Sequence, residues 1–285
     1  SIGRDRVAER SLFPVAPVTR GMDAPIEEIE FLARSKNRVE VLRLVAAEPH
    51  TRASLARTTG ASQATLGRIL EDFADRSWVR RDPDGYVATA TGELVADAVA
   101  DLLSVLETEN LLRDVVGYLP ESELGFDLRE LADSTVVVPT PTHPSAPLQR
   151  VIDAMERAGT LRAFSHALNE QSLSTALSRV QSGGLVFKTV LSESAIEALA
   201  AEDALWSRLR DLAAEDGAEI RVRRADIPLA VTVADGTVSI LVRDADGVLR
   251  ASLHTDAEAV RAWADDRFER YWEEAVPFDP ATFER

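Results

Sequence analysis

The sequence contains no cysteine among its 285 residues. A chain without thiols cannot form disulfides, use a thiolate nucleophile or hold a metal ion through sulfur. It also has no run of eighteen apolar residues, and no basic segment followed by an apolar core stands near its start. We therefore expect neither a membrane span nor a signal peptide, and the composition predicts a cytoplasmic protein.

Lysine is nearly absent too, with only Lys36 and Lys188, so arginine supplies the other positive charges. The formal charge of −16 is unfavourable for contacts with phosphates, which require lysine or arginine. Between Arg34 and Gly92, however, ten basic residues outnumber seven acidic ones. This asymmetry predicts a locally basic surface on an acidic body, although ordinary scatter of charge is the alternative. Such an acidic composition is typical of salt-adapted, halophilic proteins, whose surroundings screen charge over a few ångströms.

The length and the 45% hydrophobic content fit two ordinary domains. Residues 1–22 lack periodicity, and we expect them to be a flexible extension or to lie upstream of a true start at Met22. We assign residues 23–90 to a first domain, 91–118 to a linker or dimerisation helix, and 126–285 to a second domain. The expected fold class is α+β.

The sequence of the first domain predicts a helix-turn-helix. A helical pattern ends at Pro49, Thr51 can cap a short helix, and Gly60 suits its left-handed C-terminus. Ser62 can then cap an amphipathic helix. Residues 78–89 form two alternating segments around the turn Asp82-Pro83-Asp84-Gly85, which predicts a β-hairpin of the kind that forms a wing.

In a helix-turn-helix the second helix enters the major groove, so its outward residues must be small or able to bond base edges. Gln63 can bond adenine, Arg68 guanine or phosphate, and Thr65 a base or a thymine methyl. A plain surface helix with a flexible glycine is the alternative, and Tyr86 is expected in the core. The predicted DNA-binding residues are Thr51, Arg52, Ser62, Gln63, Thr65, Gly67, Arg68, Arg80 and Arg81.

The helix over residues 91–118 has apolar residues at alternating spacings of three and four, which is typical of a coiled-coil seam. It predicts pairing between two copies of the chain, with packing onto its own domain as the alternative. The seam comprises Val95, Ala98, Leu102, Val105, Leu112 and Val116.

The second domain alternates strand-like and helix-like segments and predicts a mixed α/β sandwich. Ligands of such sheets usually bind beyond the carboxyl ends of the strands. An arginine there favours a small anionic metabolite, with pairing to surface carboxylates as the alternative. A histidine such as His166 is more often structural than a ligand contact. The candidate ligand residues are Ser165, His166, Asn169, Ser192 and Arg223.

Three segments carry a resemblance to known proteins. Residues 30–35 (EFLARS), 62–66 (SQATL) and 86–94 (YVATATGEL) resemble winged helix-turn-helix regulators abundant in haloarchaea. Residues 126–133 (FDLRELAD) and 139–142 (PTPT) resemble the effector domain of the methanogenesis-regulator group of archaeal transcription factors. The resemblance extends over residues 24–283. It implies a homodimer, a pseudo-palindromic operator, and a ligand-responsive second domain distantly similar to phospholipase D.

Phospholipase D-type enzymes use a histidine followed two residues later by lysine. None of the four histidines here has that neighbour, and none of them clusters with carboxylates at metal-ligand spacing. We therefore expect no enzymatic activity, no metal and no cofactor. The sequence favours a homodimeric transcriptional regulator that binds double-stranded DNA and is modulated by a small anionic ligand. The alternatives are a winged-helix module that binds proteins without sequence-specific DNA binding, and a sensor that does not bind DNA.

Overall fold

The computed structural model describes residues 23–283, so the extension expected over residues 1–22 lies outside the described residues. The contacts of the chain divide it into two compact units, with the boundary between Leu102 and Leu103. This boundary falls within one long helix. Within residues 23–283, no helix is both long and apolar enough to cross a lipid bilayer.

The N-terminal unit contains four helices, a hairpin and the first part of a fifth helix. In chain order these are α1 (Asp23–Ala33), α2 (Lys36–Ala47), α3 (Arg52–Thr59), α4 (Gln63–Asp75), β1 (Val79–Asp82), β2 (Gly85–Ala88) and the start of α5 (Ala90–Leu112).

Local sequence signals fix the ends of α3 and α4. The Thr51 hydroxyl accepts a hydrogen bond from the backbone N–H of Ser54, and Gly60 ends α3 in the left-handed conformation with φ of 69°. The Ser62 hydroxyl caps α4 in the same way, by accepting from the N–H of Thr65. These two caps place a short turn between the helices, as expected.

The hairpin is anchored to the loop that precedes α3. His50 and Tyr86 exchange two backbone hydrogen bonds of 2.9 and 2.8 Å. A β-carbon on Gly85 would lie 2.3 Å from the His50 carbonyl oxygen, and Gly85 has a φ of 141°. Only glycine fits this position, which therefore holds β2 against the start of α3.

An aromatic cluster forms the centre of the N-terminal core. The rings of Phe31, Phe73 and Trp78 have centroids 5.8–6.2 Å apart, a separation at which edge-to-face and tilted pairs are favourable. The apolar face of α4 packs into the same core through Leu66, Ile69, Leu70 and Phe73.

Helix α5 corrects the expectation for residues 91–118. It ends at Leu112, and a short 3-10 turn follows at Val116–Tyr118. Leu112 and Val115 are both 2% exposed in the core of the C-terminal unit, and Val116 packs against that core. Leu112 and Val116 therefore do not belong to an intermolecular seam, because their own unit already covers them.

The C-terminal unit is built on one eight-stranded sheet of order β10-β6-β5-β4-β7-β8-β9-β3. Strands β4, β5 and β6 are parallel, and every other neighbouring pair is antiparallel. Its strands are β3 (Thr135–Val137), β4 (Thr160–Ser165), β5 (Val186–Ser192), β6 (Ala218–Arg223), β7 (Ala230–Ala234), β8 (Thr237–Arg243), β9 (Leu249–Thr255) and β10 (Val276–Pro277).

Helices cover both faces of this sheet. They are α6 (Ala146–Arg157), α7 (Glu170–Gln181), α8 (Glu193–Ala200), α9 (Asp203–Ala213) and α10 (Glu258–Glu274). Phe164 and Val190 pack in the core that contains α10, whereas Leu161 and Leu191 pack in the core that contains α6 to α9. Because alternate residues of one strand serve opposite faces, the unit is a mixed α/β sandwich with two cores.

Candidate nucleic-acid interface

The outward face of α4 is polar and exposed. Gln63, Thr65 and Arg68 are exposed, and Ala64 between them is exposed as well. In the described part of the chain, neither Gln63 nor Arg68 has a side-chain hydrogen-bond partner. Both side chains are therefore available to an external partner.

The other predicted residues of α4 contribute to the helix itself. The Ser62 hydroxyl lies 3.1 Å from the Thr65 nitrogen and 2.9 Å from the Thr65 hydroxyl. Both hydroxyls are thus engaged at the helix N-terminus, where they satisfy a donor that would otherwise lack a partner. Thr51 has the equivalent capping role at α3.

Arg52 connects the start of α3 with the middle of α4. Its guanidinium lies over Gly67, and a β-carbon on that glycine would be 3.8–3.9 Å from three guanidinium atoms. One guanidinium nitrogen also donates to the Tyr86 hydroxyl over 3.4 Å. Because Gly67 has no side chain, the surface of α4 is flat at this point, and the Arg52 guanidinium lies on it.

Tyr86 holds a second arginine. Arg81 donates to the same hydroxyl over 3.1 Å, and its guanidinium carbon lies 5.4 Å from the centre of the tyrosine ring. Partial burial raises the pKa of Tyr86, but hydrogen bonds from Arg81 and Arg52 lower it, and the pKa ends below its usual 10. The sequence placed Tyr86 in the core. Its ring does pack there, and its hydroxyl also positions two cations, a role that the cross-strand pairing of Arg81 with Tyr86 could have suggested.

These side chains surround a groove between α4 and the hairpin, with a volume of about 430 Å³. Three arginines and one carboxylate line it. The lining residues are Arg52, Gly67, Leu70, Glu71, Ala74, Val79, Arg80, Arg81 and Tyr86.

The cations of the N-terminal unit fall into two groups. One group pairs with carboxylates in Arg34–Glu30, Arg38–Asp72, Arg43–Glu40, Arg76–Glu28 and Arg80–Asp82. Lys36, Arg52, Arg57, Arg68 and Arg81 have no carboxylate within 4.0 Å among residues 23–283. Arg52 and Arg81 lie at the groove, and Arg68 lies on the outward face of α4. Three of these five unpaired cations therefore lie where the sequence predicted DNA contacts, and clustered positive charge is the electrostatic footprint expected of a nucleic-acid-binding surface.

The five predicted ligand residues follow the strands as expected, but most of their polar groups are occupied. Ser165 donates to the carbonyl of Ala167. Asn169 and Ser192 cap α7 and α8. Arg223 pairs with Glu274 at 2.8 Å. Their role as ligand contacts stays a prediction.

His166 differs from these four residues. Its Nδ1 atom is buried and has no hydrogen-bond partner in the part of the chain that the structure describes. Burial and the charge of Arg243 lower the pKa of His166, although a hydrogen bond to the backbone of Ile227 opposes the shift. The ring is therefore neutral at neutral pH. Among residues 23–283, no group of three or more histidines or carboxylates is arranged to hold a metal ion.

Solved structures offer only weak likenesses. TrmBL2, described as an archaeal chromatin protein with a novel mode of DNA binding, is 15% identical with a TM-score of 0.38, over 89% of this chain and all of its own. Nuc, a phospholipase D family member from Salmonella typhimurium, and NucT from Helicobacter pylori are each 14% identical with a TM-score of 0.41, over 51% of this chain and 99% of theirs. At these TM-scores the neighbours do not establish a shared fold.

No curated protein matches the sequence. Two family models do match it. Residues 26–111 match the HVO_A0261 N-terminal domain, and residues 144–274 match the middle domain of the methanogenesis regulatory protein FilR1. The chain thus joins a segment similar to the first of these domains to a segment similar to a domain of a methanogenesis regulatory protein.

Proposed function

We propose that this chain is a DNA-binding transcriptional regulator whose N-terminal unit acts as a winged helix-turn-helix. The observation that carries the proposal is the concentration of unpaired arginines around α4 and the hairpin. The rest of the protein is strongly acidic, with a formal charge of −16 for the whole chain. Arginines without carboxylate partners on this unit provide local positive charge that an anionic partner can neutralise. The match to the FilR1 middle domain supports a regulatory role.

In this proposal α4 lies in the major groove, with Gln63 and Arg68 reaching base edges. Arg52 and Arg81 contact backbone phosphates from the groove beside α4, and Arg80 extends from the hairpin. Phosphate contacts of this kind fix the position of the protein, whereas the base contacts select the sequence. The function is binding without catalysis.

The proposed active form is a homodimer joined through α5. Leu102, Leu103 and Leu106 are 45%, 42% and 47% exposed, and their spacing places them on one stripe of the helix. Val95 and Val99, earlier on the same helix, pack against the N-terminal core. A second copy would cover the stripe and present a second α4 about 34 Å away, one turn of DNA along a pseudo-palindromic operator.

The proposal is tested by fluorescence anisotropy with the DNA upstream of the protein's own gene and a scrambled duplex, at several salt concentrations. The wild type should prefer the native duplex and bind more weakly as salt rises. The double variant Gln63→Ala with Arg68→Ala should lose that preference, because each base contact contributes about 1–3 kcal/mol of discrimination.

Arg43→Ala is the matched control, because Arg43 is exposed and already paired with Glu40. It removes the same charge as Arg68→Ala and should leave the preference unchanged. If the wild type shows no preference at any salt concentration, the proposal fails and the winged-helix module that binds proteins becomes the better account.

A further inference from the structure

The C-terminal unit contains a cavity that the sequence did not predict, beside helix α6. Its volume is about 240 Å³, below the range of about 300–1,000 Å³ that is typical of sites for drug-sized ligands. It lies by the β7–β8 turn, where Asp235 bonds to Gly159 and Thr160 at the start of β4, whereas the predicted ligand residues follow the other ends of β4, β5 and β6. The lining residues are Arg150, Ala154, Arg157, Ala158, Ala234, Asp235, Thr237 and His254.

Helix geometry places two arginines on one wall. Arg150, Ala154 and Arg157 follow one another at spacings of four and three, so they share a face of α6. The alanine between the arginines leaves room, and Ala158 and Ala234 add further small residues to the lining. Two guanidinium groups can therefore approach one small molecule from the same side.

Neither arginine has a partner within residues 23–283, by hydrogen bond or by a carboxylate within 4.0 Å. Many other cations of this unit are paired with carboxylates, in Arg162–Asp265, Lys188–Glu219, Arg208–Glu170, Arg223–Glu274, Arg250–Asp244 and Arg267–Glu123. Within residues 23–283, Arg129, Arg224, Arg261 and Arg270 also have no carboxylate within 4.0 Å. Arg150 and Arg157 differ from these four because they share one helix face and both line the cavity.

Asp235, the carboxylate that lines the cavity, already accepts hydrogen bonds from neighbouring residues. Asp235 accepts hydrogen bonds from the backbone of Gly159 and from the backbone and hydroxyl of Thr160, at 2.9–3.0 Å. These bonds hold the pKa of Asp235 below its usual value. They also keep the carboxylate at the β7–β8 turn, so it does not neutralise the two arginines.

A buried histidine completes the lining. His254 is 7% exposed, and its ring nitrogens lie 2.9 Å from the Ser239 hydroxyl and 2.7 Å from the Ser252 hydroxyl. Burial and the charge of Arg150 lower its pKa to about 4. The ring is thus neutral at neutral pH, and Arg150 is close enough to affect it electrostatically.

We infer that this cavity binds a small anion carrying carboxylate or phosphate groups, with Arg150 and Arg157 as its charged contacts. The planar fork of arginine matches both groups through paired hydrogen bonds. The Thr237 hydroxyl supplies uncharged polar surface to the same ligand, whereas both ring nitrogens of His254 are already hydrogen-bonded to serine hydroxyls. The inference rests on the proposed regulatory function only for its consequence, that anion binding changes the affinity for DNA.

The test is a titration of the full chain with inorganic phosphate and, separately, with succinate, at constant ionic strength and without DNA. The readout is the imidazole NMR signal of His254, assigned by comparison with His254→Gln. Saturable shifts with a dissociation constant of about 1 mM are expected, together with a rise in the pKa of His254, because a bound anion offsets the charge of Arg150. Saturation by phosphate alone indicates a phosphorylated ligand, and saturation by succinate alone indicates a carboxylate ligand.

Arg150→Gln and Arg157→Gln should each weaken binding at least about tenfold, which corresponds to the loss of one charge-assisted contact. Arg270→Gln is the matched control, because Arg270 is an exposed arginine of α10 outside the cavity. If neither anion saturates, or if Arg270→Gln weakens binding as much as Arg150→Gln, the inference is overturned. Because the titration contains no DNA, its failure is separate from a failure of the proposed DNA binding.

Discussion

The guanidinium of Arg52 lies across Gly67 at the distance of an ordinary van der Waals contact from where a β-carbon would stand. This contact joins the first residue of α3 to the middle of α4, and the same guanidinium reaches the Tyr86 hydroxyl. One arginine therefore links helices α3 and α4 to the hairpin. The arrangement makes the groove a preformed cationic surface that does not depend on flexible side chains finding one another.

Gly67→Ala should stabilise the N-terminal unit. The added methyl meets only the arginine at an ordinary distance, and alanine is favoured over glycine inside a helix by about 1 kcal/mol. Urea denaturation followed by circular dichroism should show that gain in the free energy of unfolding. Gly60→Ala is the control, because Gly60 also has open space around it but has a φ of 69°; there the same substitution should destabilise by about 1 kcal/mol. A loss of stability in Gly67→Ala would contradict the packing described here.

Tyr86→Phe should weaken DNA binding without changing its salt dependence. The substitution removes the hydroxyl that positions Arg52 and Arg81, but both charges remain, so the number of phosphates neutralised stays the same. We expect a loss of affinity of about three- to tenfold, equivalent to one or two ordinary hydrogen bonds. Arg81→Gln should instead reduce the salt slope by about one. Equal slopes in wild type and Arg81→Gln would show that Arg81 does not contact phosphate.

Glu71→Gln should strengthen DNA binding. Glu71 is the carboxylate that lines the groove with the three arginines, and it has no ion-pair partner among residues 23–283. Removing its charge should raise the affinity about two- to fivefold, since exposed charge interactions contribute about 0.2–1 kcal/mol. Glu48→Gln, at an exposed carboxylate outside the groove, should change the affinity less. An unchanged affinity in Glu71→Gln would argue that DNA does not approach this groove.

The double variant Leu103→Gln with Leu106→Gln should shift the chain from dimer to monomer in analytical ultracentrifugation. Both leucines are exposed, so the substitutions should change the stability of the monomer by less than about 0.5 kcal/mol. As the dimer dissociates, the affinity for a complete operator with two half-sites should fall. Leu94→Gln is the control, because Leu94 is 69% exposed on the same helix but rotated away from the stripe. A monomeric wild type would overturn the dimer outright.

The local elements of the N-terminal unit could be predicted because their signals are local. Thr51, Gly60 and Ser62 act within four residues of their own positions, so the sequence alone defines where α3 and α4 begin and where α3 ends. The end of α5 could not be found in this way. The apolar pattern continues to residue 118, and only the burial of Leu112 and Val115 in the C-terminal core shows that the chain leaves the helix there.

The candidate sites likewise differ in whether local sequence signals are enough to predict them. Arg68 and Gln63 follow from the position of the second helix, which the sequence indicates. The anion cavity does not, because a sequence does not reveal which arginines lack a carboxylate neighbour: Arg150 and Arg162 are alike until the fold brings Asp265 to one of them. The short strand Val276–Pro277 was also missed, because its pairing with β6 is long-range and proline is a poor strand signal.

His254 should make the protein less stable below neutral pH. Its folded pKa of about 4 lies below the ordinary value of 6.5, so between these two values the unfolded chain binds a proton that the folded chain does not. Stability is therefore retained above pH 6.5 and is lost progressively as the pH falls towards 4, by up to about 3 kcal/mol from this residue. His254→Gln should lose less stability than wild type between pH 7 and pH 4.5, measured by urea denaturation at each pH. His143→Gln, at an exposed histidine, should behave as wild type; if His254→Gln does so too, the imidazole is not held neutral by its surroundings. The same measurement with phosphate present connects the anion cavity to the titration of His254. An anion beside Arg150 should reduce the acid-dependent loss of stability in wild type and leave the smaller loss in His254→Gln unchanged.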